Sequence, residues 1–278
     1  VGNGTFASVR FAKLKADNSP VAIKCIAKRF LFSKEERESV VRERNIHQHM
    51  DHPNVVHLLE WFEDDKHAMF VLDRAEGGSL KNLIQRRACP QFTEMEVRRL
   101  MEQVLDALVY VHEQGVIHCD IKPENIILGR ELLGSDATLP SLGVFDVVRV
   151  CDFGNARRAR DARYYSQSGS VSLVPYDPAD AGGTMGYLAP ELLEKRHYDT
   201  AVDLWALGVV MFQLLGGYSP FTPYNACLTS TVAFDERRWG SVSPAGKDLC
   251  QRLLTVDPAK RATAQQARAH AWFHSTLL

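Results

Sequence analysis

The chain lacks any pair of cysteines at the spacing of a metal knuckle or a redox motif. Its six cysteines (Cys25, Cys89, Cys119, Cys151, Cys227 and Cys250) are scattered, with no C-x-x-C and no histidine at ligand spacing. That distribution argues against a structural zinc and a disulfide framework, and reduced thiols in a cytoplasmic or nuclear setting are expected. Nor is one sign of charge in excess: 33 Lys and Arg stand against 34 Asp and Glu, a net charge of −1. The balance points away from nucleic acid and from an anionic membrane as partners. The most apolar run, Val202 to Gly217, contains Asp203 and is too short to span a bilayer, so it reads as a buried helix and no membrane segment is expected. No signal-peptide pattern heads the sequence. It opens on Val1-Gly2-Asn3-Gly4, already inside a motif, and is therefore expected to be truncated at its start, with regulatory flanks outside it.

What is present is ordinary in bulk and specific in detail. The 278 residues, 45% hydrophobic and 24% charged, suffice for one large domain or two packed lobes. The most telling stretch runs from His118 to Leu128, HCDIKPENIIL. Asp120 and Asn125 are far enough apart in a loop to do separate jobs: a carboxylate can take a proton while an amide oxygen holds a cation. Read blandly, the same stretch is a polar helix-to-strand loop with a turn at Pro123.

Upstream, residues 1–28 alternate β-rich runs with turn residues. Gly2 to Val9 reads as a glycine-rich hairpin tip whose backbone N–H groups could approach phosphate oxygens. Ala7 occupies the place of a third glycine, and Val21-Ala22-Ile23-Lys24 is a β-branched run ending in lysine. Ser33-x-x-Glu36 forms a capping box opening a helix to about Met50. Glu43 within it reads either as a solvated helix charge or as an ion-pair partner that orients Lys24. Strands are expected over Val55–Phe62 and His67–Leu72, then a linker from Asp73 to Gly78.

Thr93-x-x-Glu96 caps a second helix with a core-facing stripe of Val97, Leu100, Met101, Val104, Leu105, Leu108 and Val111. Val147 to Cys151 reads as a strand ending at Asp152-Phe153-Gly154, where a carboxylate suits a metal ligand. Residues from about 155 to 182 carry little pattern and read as a surface segment. Pro190 and Pro244 are expected to open helices.

In sequence order these pieces are G-x-G-x-F-A-x-V, V-A-I-K, a helical Glu, H-x-D-x-K-P-E-N, D-F-G, G-T-x-x-Y-x-A-P-E, D-x-W and D-P-x-x-R. The series resembles the eukaryotic protein kinases of Ser/Thr type over essentially the whole chain. Trp239 to Leu249 and His270 to Phe273 look like the calcium/calmodulin-dependent group. The resemblance implies an α+β, bilobal fold across residues 1–278. A small β-rich N-lobe with one main helix would span residues 1–75, and a larger, mainly helical C-lobe residues 76–278.

It further implies ATP and Mg²⁺ as cofactors and a protein substrate with a Ser or Thr acceptor. Gly2, Gly4 and Val9 would cover the phosphates and adenine, with Ala22 and Ile127 beside the nucleotide. Lys24 would contact the α- and β-phosphates with Glu43 holding it. Leu72 would be the gatekeeper, and the backbone of Asp73 and Ala75 would bind adenine. Asp120 would accept or orient the substrate hydroxyl, Lys122 would reach the γ-phosphate, and Glu124 would face substrate or ribose. Asn125 and Asp152 would hold the metal. Glu191 should pair with Arg261. His118, Phe153 and Leu58 match a stack that aligns on Asp203; its fourth place falls at His47, which reads either as that member or as a surface histidine.

The chain also departs from the family. Cys119 replaces an arginine that couples activation-segment phosphorylation to ordering, so activity is expected not to depend strictly on that modification, unless Arg157, Arg158, Arg160 or Arg163 takes over. The spacings Asn125–Asp152 and Asp152–Glu191 are long. They imply an extra loop over Gly129 to Phe145 and a segment with Tyr164, Tyr165, Ser166, Ser168, Ser170 and Ser172 as candidate modification sites. Phe221 to Trp239 is short, so the usual helix there is trimmed or missing. Ser79 and Gln213 stand where acids would read a basic substrate, which leaves Glu124. Cys151 reads as a small buried hydrophobe or as a thiol near the nucleotide. The alternative function is a pseudokinase, a nucleotide-binding or scaffolding module. It rests on Ala7, Cys119 and His47, against the complete set Lys24, Glu43, Asp120, Asn125 and Asp152. A kinase of small molecules is a third reading, opposed by the intact A-P-E segment.

Overall fold

β-Branched and aromatic runs broken by short turns favour pleated pairing, and in the computed structural model they form an antiparallel five-stranded sheet. The structure describes residues 2–3, 7–89, 91–129, 147–159 and 184–274. The readings placed on Gly4, Arg160 and Arg163, on residues 130–145 of the extra loop, and on Tyr164 to Ser172 lie outside them. The sheet has the order β1-β2-β3-β5-β4, from Gly2–Asn3 (β1), Ala7–Lys13 (β2), Pro20–Ala27 (β3), Leu58–Glu63 (β4) and His67–Asp73 (β5). Its register sets Val9 opposite both Gly2 and Lys24, and Ala22 opposite Leu72.

The strand expected from Val55 begins at Leu58 instead. The backbone upstream is already committed elsewhere: Val56 N donates to Val150 O at 2.9 Å, and Val55 bridges Val150 in parallel. Those N–H and C=O groups cannot also pair with β5.

Helix α1 (Lys34–His47) opens on the expected capping box, with Ser33 Oγ accepting from Glu36 N at 3.0 Å and Glu36 Oε2 accepting from Ser33 N at 2.7 Å. It stops three residues short of Met50. Its buried residues are Val40, Glu43, Ile46 and His47, which share one face. Val40 joins the small core under the sheet with Ile26, Leu58 and Phe70, whereas Ile46 joins the main core. The helix thus spans the two hydrophobic clusters.

The remaining chain is mostly helical, with Leu80–Arg86 (α2), Glu94–Glu113 (α3), Pro190–Leu193 (α4), Ala201–Gly216 (α5), Glu236–Trp239 (α6), Pro244–Leu253 (α7) and Ala264–Arg268 (α8). Every residue of the expected α3 stripe is buried. Helix α5 is buried on nearly all sides, around Trp205 and Phe212, and ends at Gly217 in the left-handed conformation, φ 75°. Each such fully buried large side chain contributes about 1.5–3 kcal/mol of transfer free energy, so α5 is the centre of the larger core. Between Phe221 and Trp239 only the 3₁₀ turn Tyr224–Leu228 and the four-residue α6 appear, in keeping with a trimmed helix. Short strands complete the interface: Gly78–Ser79 (β6), Ile126–Leu128 (β8) and Val148–Val150 (β9) form one sheet, and Val116–Ile117 (β7) pairs with Arg157–Arg158 (β10). The architecture is the bilobal α+β one expected.

Candidate active site

Three segments far apart in sequence meet at Lys24. Its Nζ lies 2.6 Å from Glu43 Oε1 on α1 and 2.8 Å from Asp152 Oδ1, just past β9. Of the two readings of Glu43, the ion pair is the correct one; the carboxylate is buried although its neighbours in the run are charged. Burial pulls the Lys24 ammonium down, but the charges of Asp152 and Glu43 outweigh it, and its pKa stands above the ordinary lysine value. The Lys24 charge, working against burial, holds Asp152 well below the usual carboxylate range. Burial raises Glu43 despite the lysine. Gly154 N also donates to Asp152 Oδ1 at 3.3 Å. A Cβ on Gly154 would sit 3.2 Å from that oxygen, 3.4 Å from Glu43 Oε2 and 3.7 Å from Lys24 Nζ, so glycine leaves room for the ionic cluster.

The second half of the site is local in sequence. Asp120 Oδ2 accepts from Lys122 Nζ at 2.8 Å and from Asn125 Nδ2 at 2.9 Å, and Asn125 Nδ2 also donates to Asp120 O at 2.9 Å. Burial raises the Asp120 carboxyl above its ordinary value, with Lys122 opposing. The loop hangs from α5: Asp203 Oδ2 accepts from His118 N at 2.9 Å, and Oδ1 accepts from Cys119 N at 2.8 Å. His112 Nε2 lies 2.9 Å from Asp203 Oδ2. His112 was not singled out from the sequence, since a histidine in the last turn of a helix gives no sign of a partner ninety residues on.

The halves are joined by backbone and rings. His118 Nε2 is 3.1 Å from Cys151 O, and Cys151 N donates to Asn125 O at 3.0 Å. Phe153 packs between His118 and His47, with ring centroids 5.1 Å and 4.9 Å away. His47 is therefore a stack member and not a surface histidine. It is 2% exposed, its Nε2 lies 2.7 Å from Val56 O, and its Nδ1 has no hydrogen-bond partner among the described residues. Burial lowers its pKa to about 4. Leu58, the other expected member, packs with the sheet cluster of Ile26 and Phe70.

The other expected residues that the structure describes sit on the sheet and on the strands and turn next to the loop. Val9, Ala22 and Leu72 lie on adjacent strands β2, β3 and β5. Asp73 ends β5, its N–H bonded to His57 O at 3.1 Å, and Ala75 follows it. Ile127 lies on β8 opposite Ser79. Gly2 pairs with Val9 at the sheet edge. Glu124 precedes Asn125 in a 3₁₀ turn and is bound to Lys81. Cys119 sits at φ 63° and Asp152 at φ 69°, a left-handed conformation costly for these side chains and held here by Asp203 and Lys24. Desolvation raises the half-buried Cys151 and Cys119 thiols, so both stay protonated. Arg157 lies close enough for its charge to act on Cys119. Away from the cleft, Arg261 forks onto Glu191 at 2.7 and 3.0 Å with both side chains fully buried, a structural pair.

The model of the protein kinase domain matches residues 1–273. A calcium/calmodulin-dependent protein kinase type 1 from Macrobrachium nipponense is 35% identical across 98% of this chain and 72% of its own length. The human calcium/calmodulin-dependent protein kinase type 1B is 35% identical across 98% of this chain and 73% of its own. The chain belongs to the serine/threonine protein kinase family. A serine/threonine-protein kinase H1 homolog from Danio rerio, 34% identical, is matched over 99% of this kinase and 60% of its own length. Among the described residues of the kinase, no helix is long and apolar enough to cross a membrane.

The donor set suits Mg²⁺. Among the described residues no three His, Cys, Asp or Glu side chains gather as a metal site of their own. Asn125 commits its amide nitrogen to Asp120, which leaves Oδ1 as an oxygen donor, and Asp152 receives Lys24 and Gly154 on Oδ1, which leaves Oδ2. A carboxylate and an amide oxygen are what a hard cation takes.

Proposed function

We propose that this kinase transfers the γ-phosphoryl group of Mg-ATP to serine or threonine hydroxyls of protein substrates. The observation that carries the reading is the closed Lys24–Glu43–Asp152 cluster beside the Asp120–Lys122–Asn125 loop. In this reading the nucleotide lies against Gly2, Gly4, Val9, Ala22, Leu72 and Ile127, with the backbone of Asp73 and Ala75 at the adenine and Glu124 near the ribose or substrate. Bound Mg²⁺ neutralises charge on the phosphates, with Asn125 and Asp152 as its protein ligands.

The protein's own work is positioning. Glu43 holds the Lys24 ammonium where it can pair with phosphate oxygens. Asp120, its carboxyl raised by burial, orients the acceptor hydroxyl and takes its proton as the oxygen loses it. Lys122, already on Asp120, is placed to follow charge onto the transferring group. Free thiols at all six cysteines support a reducing, cytoplasmic setting. The pseudokinase reading needs a broken site, and its three supports, Ala7, Cys119 and His47, leave the ionic set intact.

Transfer of phosphate from ATP to a degenerate Ser/Thr peptide library tests the proposal, with Asp120→Asn and Asp152→Asn as controls. Transfer by the wild type that both variants lose is the expected outcome. ATP binding without transfer would favour the pseudokinase.

A further inference from the structure

We infer that Lys81 is a specificity-determining residue: it neutralises Glu124 on the lip of the cleft and removes selection for a basic residue beside the acceptor hydroxyl. The inference rests on the proposed phosphoryl transfer at Asp120 and names the substrate class for that site, peptides without an arginine requirement.

The geometry begins with Glu124. It lies in the 3₁₀ turn Pro123–Asn125, whose last residue is pinned to Asp120 by two hydrogen bonds of 2.9 Å. Its carboxylate is therefore held close to the reacting hydroxyl by the short chain between them. Lys81, in the first turn of α2, puts Nζ 2.8 Å from Glu124 Oε1. The side chains remain 49% and 39% exposed, so a bound peptide can reach both.

Other polar groups on this lip are also occupied. Ser79 Oγ accepts from Asn82 N at 3.2 Å and donates to Asn82 Oδ1 at 2.7 Å, which commits it to capping α2. Gln213 Oε1 accepts from Tyr187 Oη at 2.9 Å. Burial and then the Glu124 charge push the Tyr187 phenol up to about 12, which places Tyr187 and Gln213 within the field of the same carboxylate. Lys122 is held by Asp120. A substrate arginine arriving at Glu124 must displace Lys81 and then endure its repulsion, exchanging one exposed ion pair for another with little gain. With Lys81 gone, Glu124 becomes an open acceptor for a guanidinium fork.

The experiment compares wild type, Lys81→Gln and the double variant Lys81→Gln/Glu124→Gln at saturating ATP. Peptides carry either Arg or Ala at each position flanking one Ser, and kcat/KM ratios for Arg over Ala are read. The wild type should show ratios within about twofold of unity, since an exposed pair is worth little. Lys81→Gln should raise the ratio at one position by roughly fivefold, the size of one exposed charge contact, and the gain should shrink in high salt. The double variant should return to a flat profile. A wild type that already favours Arg as strongly as Lys81→Gln, or a Lys81→Gln profile that stays flat, overturns the inference. The same peptides with Ala in place of Ser, measured by equilibrium binding, read the Lys81 effect without transfer. No transfer by any variant, with the binding profile still shifted, sinks phosphoryl transfer but keeps the role of Lys81.

Discussion

The Lys24–Glu43–Asp152 cluster and the His118–Asn125 loop lie side by side in one cleft, but they are held in different ways. The loop is short in sequence, and a buried carboxylate, Asp203, fixes it by accepting two backbone N–H groups. Its geometry follows from local chain and one anchor. The cluster draws one residue from each of three distant segments and is held by charge. Its supports are the His47 contact to Val56 O and the packing of Ile46 in the main core. The loop thus depends on one anchor on α5, and the cluster depends on where α1 is packed.

The comparison can be broken from either side. The largest effect is expected from Asp120→Asn, which should lower kcat by about 10²–10⁴. The fold should survive, because the variant removes a carboxyl whose burial already raises its pKa; kinetics and thermal unfolding together check this. Lys24→Met should cost about 10²–10³ in kcat/KM by removing an oriented cation. It leaves Glu43 and Asp152 without their counter-charge, so its stability deficit against wild type should be larger at pH 8 than at pH 5, read by denaturant unfolding. The Lys24 contribution is fully present through neutral pH and is lost as pH rises from the ordinary lysine value through its elevated pKa.

Asp203→Ala attacks the anchor. It orphans two buried N–H groups and should cost about 3 kcal/mol of stability, a thermal midpoint lower by several degrees, with activity falling alongside. His47→Leu probes the α1 side through acid. A histidine depressed to about 4 when folded stabilises the protein above its ordinary value of 6.5, and that stabilisation is lost as pH falls through the window between them. Wild type should lose about 2–3 kcal/mol from this group between about pH 7 and pH 4.5. The leucine variant should lack that share of the acid loss. An unchanged acid profile would show that His47 does not carry it. Gly154→Ala should be mildest, a several-fold fall in kcat/KM as the new methyl crowds Asp152 and Glu43.

Local signals were legible where one short stretch carries its own physics. The Ser33 and Thr93 capping boxes, the α3 stripe, the all-round apolar α5 and the order of motifs each appear in the structure as expected. The start of β4 was misplaced because Val55 and Val56 look like strand residues, and their backbone is indeed extended, but it pairs with Val150 across the lobes. From its own stretch Glu43, among arginines, reads equally as a solvated charge; the family resemblance implied its pairing with Lys24, and the 2.6 Å contact shows it. Lys81 looked like any exposed helix lysine, and only its distance to Glu124 gives it meaning.

By itself, then, the sequence determined where most helices begin, because capping and periodicity act within a few turns of chain, and its resemblance to the protein kinases implied the two lobes and which residues could do the chemistry. Only the tertiary structure decided that His47 is buried against Phe153, that Glu43 meets Lys24, and that Glu124 is paired. Those facts depend on desolvation and on charges brought together from distant segments, and neither is written in any one stretch.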